Sequence, residues 1–337
     1  MAMDIRERVN ETIQQTQGWI DWSKGRILNL LGVSRTQQSV FHQPKPAGLS
    51  SENRKSHQIT PPEIDAIMDY CNTHRGVNYY KLAYQMMDER IAFVPPSTVY
   101  SILRAQGFYD VQAPKSTAAK AYADKPTHVH HTWHVDIAYV KIQEIYYYLI
   151  VMIDGYSRYV LDWELLFDMK GDTVSLFAQK VLDQYPEAIE KKVRIVSDNG
   201  SCFVSSEYRL VLKQNSIIPI RCAPYHPETN GKAEAVIKIA RNEALRPHSP
   251  QFYQEAITVL KKHFDFYNNN RLHSGIKYVR PVDMFLGRAD QVLQQRKEGL
   301  HQAKLERKTW NQNHNETKIY KQTLQIMNHT FVRFNLG

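Results

Sequence analysis

The chain has 337 residues, 42% of them apolar and 23% charged, which excludes a disordered or collagen-like polymer and leaves room for two or three domains. Its three scattered cysteines, Cys71, Cys202 and Cys222, exclude a disulfide framework and point to a reducing, cytosolic setting. The longest apolar run, residues 145–153, has a strand's length rather than a membrane span's, and the polar residues 1–17 lack the apolar run of a signal peptide.

The net charge of +9 is uneven. Lys and Arg number 15 against 12 Asp and Glu in residues 1–125, 11 against 14 in 126–235, and 17 against 8 in 236–337. A basic periphery around an acidic centre suits a polyanion such as nucleic acid, although charge alone also fits a merely basic soluble protein. A surface that approaches phosphates should avoid spare carboxylates unless they hold metal ions.

In chain order, Ile27, Leu28, Leu30 and Leu31 predict a helix that ends at Gly32, and Ser34 can cap a second short helix through Arg35. That shape makes residues 1–43 a candidate helix-turn-helix, with Arg35 a candidate DNA contact. Residues 44–57, with Pro44, Pro46 and Gly48, read as a linker. A second helical unit spans residues 58–110. Thr60-Pro61-Pro62-Glu63 is a capping box, followed by Ile64, Ile67, Met68 and Cys71 at helical spacing. Residues 79–90 are amphipathic; Pro95 and Pro96 stop that helix, and Ser97 can cap the next. The last helix turns Val99, Ile102 and Leu103 inward and Tyr100, Ser101 and Arg104 outward. It is either a recognition helix for the major groove or part of a plain three-helix bundle. Residues 111–127 form a charged connector.

From there the period changes to that of strands. Residues 133–142, 145–153 and 158–166 are rich in Val, Ile, Tyr and Trp. Tight turns at Gln143-Glu144 and Asp154-Gly155 join them, which predicts an antiparallel meander with Trp133 and Tyr139 in the core. A helix over 172–185, a strand over 193–196, a helix over 205–215, a strand over 217–221 and a long helix over 230–246 follow. The order βββαβαβα predicts an α/β fold, a mixed sheet covered by helices. Residues 249–287 continue as helix. Residues 288–337 form a basic extension with a helix through residue 308 and candidate short strands at 319–320 and 330–334.

Asp136 lies inside the first strand, where an acid is unfavourable unless its carboxylate has a partner or a task. Asp198 follows a strand and precedes Asn199-Gly200, and strand ends are where open sheets bind ligands. Glu234 opens the helix behind His226-Pro227-Glu228-Thr229-Asn230-Gly231-Lys232, with 35 residues between it and Asp198. Singly, Asp198 could be only a turn and Glu234 only a solvated helix face. Together with Trp133-His134-Val135-Asp136 and Ile153-Asp154-Gly155-Tyr156-Ser157-Arg158, they resemble the DDE retroviral-integrase superfamily. Phe266-Tyr267-Asn268, Arg271-Leu272-His273-Ser274 and Arg280-Pro281 extend the resemblance to bacterial insertion-sequence transposases of the OrfB type. His74-Arg75-Gly76 through Thr98-Val99-Tyr100-Ser101-Ile102-Leu103-Arg104 and Gly107 resembles that family's second helix-turn-helix. No cysteine pair is available for the zinc module of retroviral integrases. The histidines His128, His130, His131 and His134 lie at a linker-to-strand junction without cysteines at zinc-finger spacing.

The resemblance implies an RNase H-like integrase catalytic core over residues 128–248, with Asp136, Asp198 and Glu234 as the catalytic triad. Three carboxylates within ~5 Å repel by roughly 3 kcal/mol per pair at an effective dielectric near 20. Divalent cations relieve that repulsion, and all-oxygen ligation selects magnesium or manganese, two ions per active site. Asp136 would bridge both ions, Asp198 would hold one and Glu234 the other. By the resemblance, water and then a DNA 3′-hydroxyl attack phosphodiesters of double-stranded DNA, first at element ends and then at a target. A homo-oligomer acting in the bacterial cytoplasm at the nucleoid, away from membranes, is also implied. Asn230, Glu234, Lys238 and Arg241 fall within about 80° on one helix face, so Asn230, Lys238 and Arg241 join Arg35, Tyr100, Ser101 and Arg104 as expected DNA contacts. The plainer alternative is an i,i+4 Glu–Lys surface pair. Asp154 reads as a turn-former, and His226-Pro227 as shaping a loop. A metal-dependent endonuclease without strand transfer, or a non-catalytic DNA-binding regulator, is the competing reading.

Overall fold

A computed structural model of the protein describes residues 57–107, 125–221 and 230–313. The expected first helix-turn-helix with Arg35, most of the 111–127 connector, the His226-Pro227 loop and the strands at 319–320 and 330–334 lie outside the described residues. The chain divides into two units, residues 61–303 and residues 1–60 with 304–337. Within the second, the Asn311 amide donates to the Gln58 carbonyl at 2.9 Å.

Helix α1 (Pro61–Thr73) opens on a proline, whose missing N–H would have no helical partner at that position anyway. In α2 (Tyr79–Asp88), the Asn78 side chain accepts the Tyr80 N–H at 2.8 Å as an N-cap. Helix α3 (Pro96–Ala105) begins one residue before the expected Ser97 cap. Proline's fixed φ is already helical, so Ser97 falls inside the first turn and its carbonyl accepts the Ser101 hydroxyl at 2.9 Å. The three helices pack through Ile67, Cys71, Leu82, Met86, Val99 and Leu103, all buried.

Strands β1 (Thr132–Ile142), β2 (Ile145–Asp154) and β3 (Val160–Leu166) form the antiparallel meander. Helix α4 (Gly171–Gln184) and the short α5 (Pro186–Glu190), which sequence periodicity does not reveal, lead to β4 (Arg194–Ser197). Helix α6 (Ser206–Gln214) then leads to β5 (Ile218–Arg221). The sheet runs β3-β2-β1-β4-β5, parallel from β1 to β5. Strand residues alternate between its faces. Trp133, Val135, Ile150 and Met152 meet Phe177 and Val181 of α4 and Tyr208 and Leu212 of α6. On the other face Val140, Leu149, Val151 and Ile153 meet Val236 and Ile237 of α7 (Gly231–Ala240) and Leu260 and Phe264 of α8 (Tyr253–Asn269). Burial on both faces is why β2 reads as one continuous apolar run. The result is an α/β core with helices on both sides of a mixed five-stranded sheet, the arrangement expected from the sequence.

Three expectations change. Tyr139 is 53% exposed rather than core: it follows Trp133, Val135 and Ile137 on one face but projects past the covering helices, against Tyr146 and Tyr148. Arg158 precedes β3 rather than opening it, because its φ of +66° belongs to a turn. The long helix expected over 230–246 runs on to His248 without a break in helical backbone, but it contains a π turn, Arg241–Leu245, that periodicity does not reveal. Helices α9 (Pro281–Phe285) and α10 (Ala289–Asn313) follow. Among the described residues no helix is long and apolar enough to cross a membrane.

Candidate active site

Strand register sets the first relation. β1 and β4 are parallel with Thr132 opposite Arg194 and His134 opposite Val196. The same offset carried two residues further sets Asp198 level with Asp136. β4 ends at Ser197, so Asp198 is exposed beyond the strand, where its Oδ1 accepts the Gly200 N–H at 2.9 Å.

Helix α7 supplies the second relation. At its start the buried Asn230 amide donates to the Val135 carbonyl at 3.0 Å, and at its end the Arg241 guanidinium donates to the Tyr139 carbonyl. The helix therefore runs along β1 past Asp136, which alternation turns toward α7 with Val140 and Ile142. Glu234 stands exposed one turn after Asn230, about 6 Å along the axis.

The charges of these three acids meet. The half-buried Asp136 carboxyl is pushed up to about 7, first by burial, then by the negative charge of Asp198 and, less, of Glu234. The Ile137 N–H and the Arg241 guanidinium oppose the shift by favouring the anion. Among the described residues no three His, Cys, Asp or Glu side chains are already drawn together as an ion cage. The donor set nevertheless fits hard divalent cations: only carboxylates, one of them held near neutrality first by burial and then by the charge of the other two.

The neighbouring histidines have separate partners. His130 accepts from the Trp133 indole at Nδ1 (3.2 Å), which leaves Nε2–H to face Glu187 (3.2 Å), and burial holds its pKa down. The His131 ring meets the Arg194 guanidinium at 2.9 Å. His134, on the Asp136 face of β1, accepts at Nε2 from the Lys232 ammonium at 3.1 Å. Lys232 was not singled out from sequence. The available signal was a positive charge two residues ahead of Glu234 in an acidic segment.

Asp154 is the turn-former expected of it. It is fully buried, and Oδ1 accepts the His130 N–H at 2.8 Å. Oδ2 accepts the Ser157 N–H at 2.7 Å and its hydroxyl at 2.6 Å. Gly155 fits because an added Cβ would stand 2.8 Å from the Thr132 carbonyl oxygen. The Asp-Gly-Tyr-Ser-Arg motif thus ties the β2–β3 turn to the start of β1, two residues before Asp136's own neighbour His134.

Residues 126–227 match the family described as integrase core domain, and residues 215–281 match a second family of the same description. Over residues 126–281 the chain is thus similar to integrase core domains. It is similar to the transposase for insertion sequence element IS904 of Lactococcus lactis, 27% identical over 47% of this chain and 62% of that relative. It is also similar to the insertion element IS600 31 kDa protein of Shigella sonnei, 26% identical over 47% of this chain and 57% of that one. The matches thus span about six tenths of these relatives' length. Among solved structures, the HTLV-2 integrase catalytic core domain in complex with magnesium aligns over 47% of this chain and 97% of its own (18% identity, TM-score 0.36). A chain of the simian T-cell lymphotropic virus intasome aligns over 65% and 74% (16% identity, TM-score 0.41).

The expected DNA contacts fall in different settings. Lys238 is exposed on α7, and Arg241 is half-buried with part of its guanidinium committed to β1. Asn230 is only 1% exposed and turns inward to β1, because its amide anchors the helix start; it positions α7 instead of facing solvent. On α3, Ser101 and Arg104 are exposed, and Tyr100 is half-buried with its ring 5.2 Å from that of Tyr79.

Proposed function

We propose that the chain is a DDE transposase, which cuts double-stranded DNA at the ends of an insertion sequence and joins the freed 3′-hydroxyls to target phosphodiesters in the bacterial cytoplasm. The observation that carries this reading is the raised Asp136 carboxyl, which shares its field with Asp198 and Glu234 on an integrase core. Asp136, Asp198 and Glu234 would hold magnesium or manganese. When bound, the cations supply Lewis acidity for in-line phosphoryl displacement. Lys238 and Arg241 hold strand phosphates on the same face of α7, while Asn230 and the Arg241–Tyr139 contact keep that helix beside β1. Arg104, Ser101 and Tyr100 contact the duplex from α3. Strand transfer breaks one phosphodiester for each one formed, so no energy-rich cofactor is required. Two element ends handled together call for at least a dimer on DNA.

The test is incubation of the full chain with labelled DNA from the flanks of its gene in magnesium or manganese. Nicked and then joined products are expected, and Asp136→Asn should give neither. Nicks without joins would favour a plain endonuclease. Specific binding with no cleavage would favour a regulator.

A further inference from the structure

Helix α10 lies in the basic extension, yet one of its arginines faces inward. Arg296 is 4% exposed. Its guanidinium donates to both Asp88 carboxylate oxygens of α2 at 2.7 Å, to the Tyr278 carbonyl at 2.8 Å and to the Lys277 carbonyl at 3.4 Å. It also lies 4.7 Å over the Tyr84 ring. Lys277 and Tyr278 both adopt left-handed backbone, φ +58° and +56°, which is strained for side chains of this size and turns their carbonyls to this one cation. Tyr278 in turn stacks on Tyr80 and Tyr84 of α2, with centroids at 5.6 and 5.0 Å. Three residues along α10, Gly299 leaves room for the Phe93 ring, which an added Cβ would strike. Glycine is unfavourable inside a helix, so this close approach gives it a reason to be there.

These contacts join α2 and the segment before α3 to the turn at 277–278 and to α10. Twenty-six residues separate α3 from β1 in sequence, so among the described residues it is contacts such as these that place one against the other. A buried ion pair adds little net stability over an apolar contact, but a two-pronged one bonded to fixed carbonyls allows a single orientation. We propose that Arg296 is a positioning residue that docks α1–α3 on the integrase core, so that the span from DNA held by α3 to the phosphodiester cut near Asp136 is set by the protein. This rests on the transposase reading and goes beyond it: α10 serves as a strut, and its buried charge does not serve as a DNA contact.

The test uses the full chain, magnesium and an end-labelled duplex carrying an element end. Wild type should nick one phosphate. Arg296→Lys keeps the charge but loses the fork, and Asp88→Asn loses the anion. Each should spread nicks over neighbouring phosphates and weaken end binding about tenfold, while nicking of duplex without an element end keeps its rate. The double variant should be no worse than either single one. Gly299→Ala, which displaces Phe93, should give the same spread. Hydrogen exchange separates undocking from unfolding: α2 amides should lose protection while β1 and β2 amides keep it. Variants that still nick the one phosphate with unchanged affinity, or leave α2 protection unchanged, overturn the proposal. A wild type that cuts nothing instead fails the transposase reading, and this inference with it.

Discussion

Asp136 is held protonated by surroundings that its proposed task would reverse. Its folded pKa, about 7, lies above the ordinary value of 3.8, so between those limits the metal-free fold keeps a proton that the unfolded chain has released. That group's contribution to stability is complete below its ordinary value and is lost as pH rises through about 7. In chelator, the melting temperature of wild type should therefore drop from pH 5 to pH 8 relative to Asp136→Asn, which lacks the titration. Magnesium at pH 8 should restore wild type and leave the variant where it was. Parallel pH curves for the two proteins would remove both the perturbed carboxyl and its role as a cation ligand.

Side-chain bonds between elements explain what the sequence signature downstream of the acids is for. β3 is an edge strand, and Asn268 of α8 closes that edge at Val160: its Oδ1 accepts the N–H at 2.8 Å and its amide donates to the carbonyl at 2.9 Å. Arg271 forms a two-pronged pair with Glu243 in the π turn after α7, and burial beside Arg158 and Arg271 holds His273 neutral, at about 4. Asn268→Ala should destabilise by ~1–3 kcal/mol through two lost bonds at a part-buried edge, read from denaturant unfolding; a loss under ~0.5 kcal/mol would mean that solvent replaces the clamp. The meander, α1–α4 and α6–α8 were legible because period-two and helical patterns are local, and Asp136 stood out as an acid in an apolar strand. The Asn268–Val160 clamp and the Arg296–Asp88 fork were not, since their partners lie 108 and 208 residues away. Tyr139 misled for the related reason that alternation tells which face a residue takes but not where the covering helices end.

Across the whole molecule, the sign of the charge changes where the proposed chemistry is: residues 126–235 carry 11 Lys and Arg against 14 Asp and Glu, and residues 236–337 carry 17 against 8. On the transposase reading, DNA drawn in by the basic flanks would meet repulsion at Asp136, Asp198 and Glu234 until cations are present. Neutralising those acids should therefore strengthen metal-free DNA binding, most at low salt, whereas magnesium should strengthen binding by wild type and leave the neutralised variant nearly unchanged. Lys238→Ala and Arg241→Ala act with the opposite sign, each lowering the slope of log affinity against log salt by about 1 if it pairs with one phosphate. Arg241→Ala should also hold Asp136 protonated to higher pH, because its guanidinium now favours the anion. A salt titration of Asp136→Asn, Lys238→Ala and Arg241→Ala on one duplex, with and without magnesium, separates these effects. If at pH 8, where the Asp136 carboxyl is ionised, Asp136→Asn bound DNA no more tightly than wild type in chelator, the acids would not face the phosphates, and the charge reversal along the chain would have no bearing on catalysis.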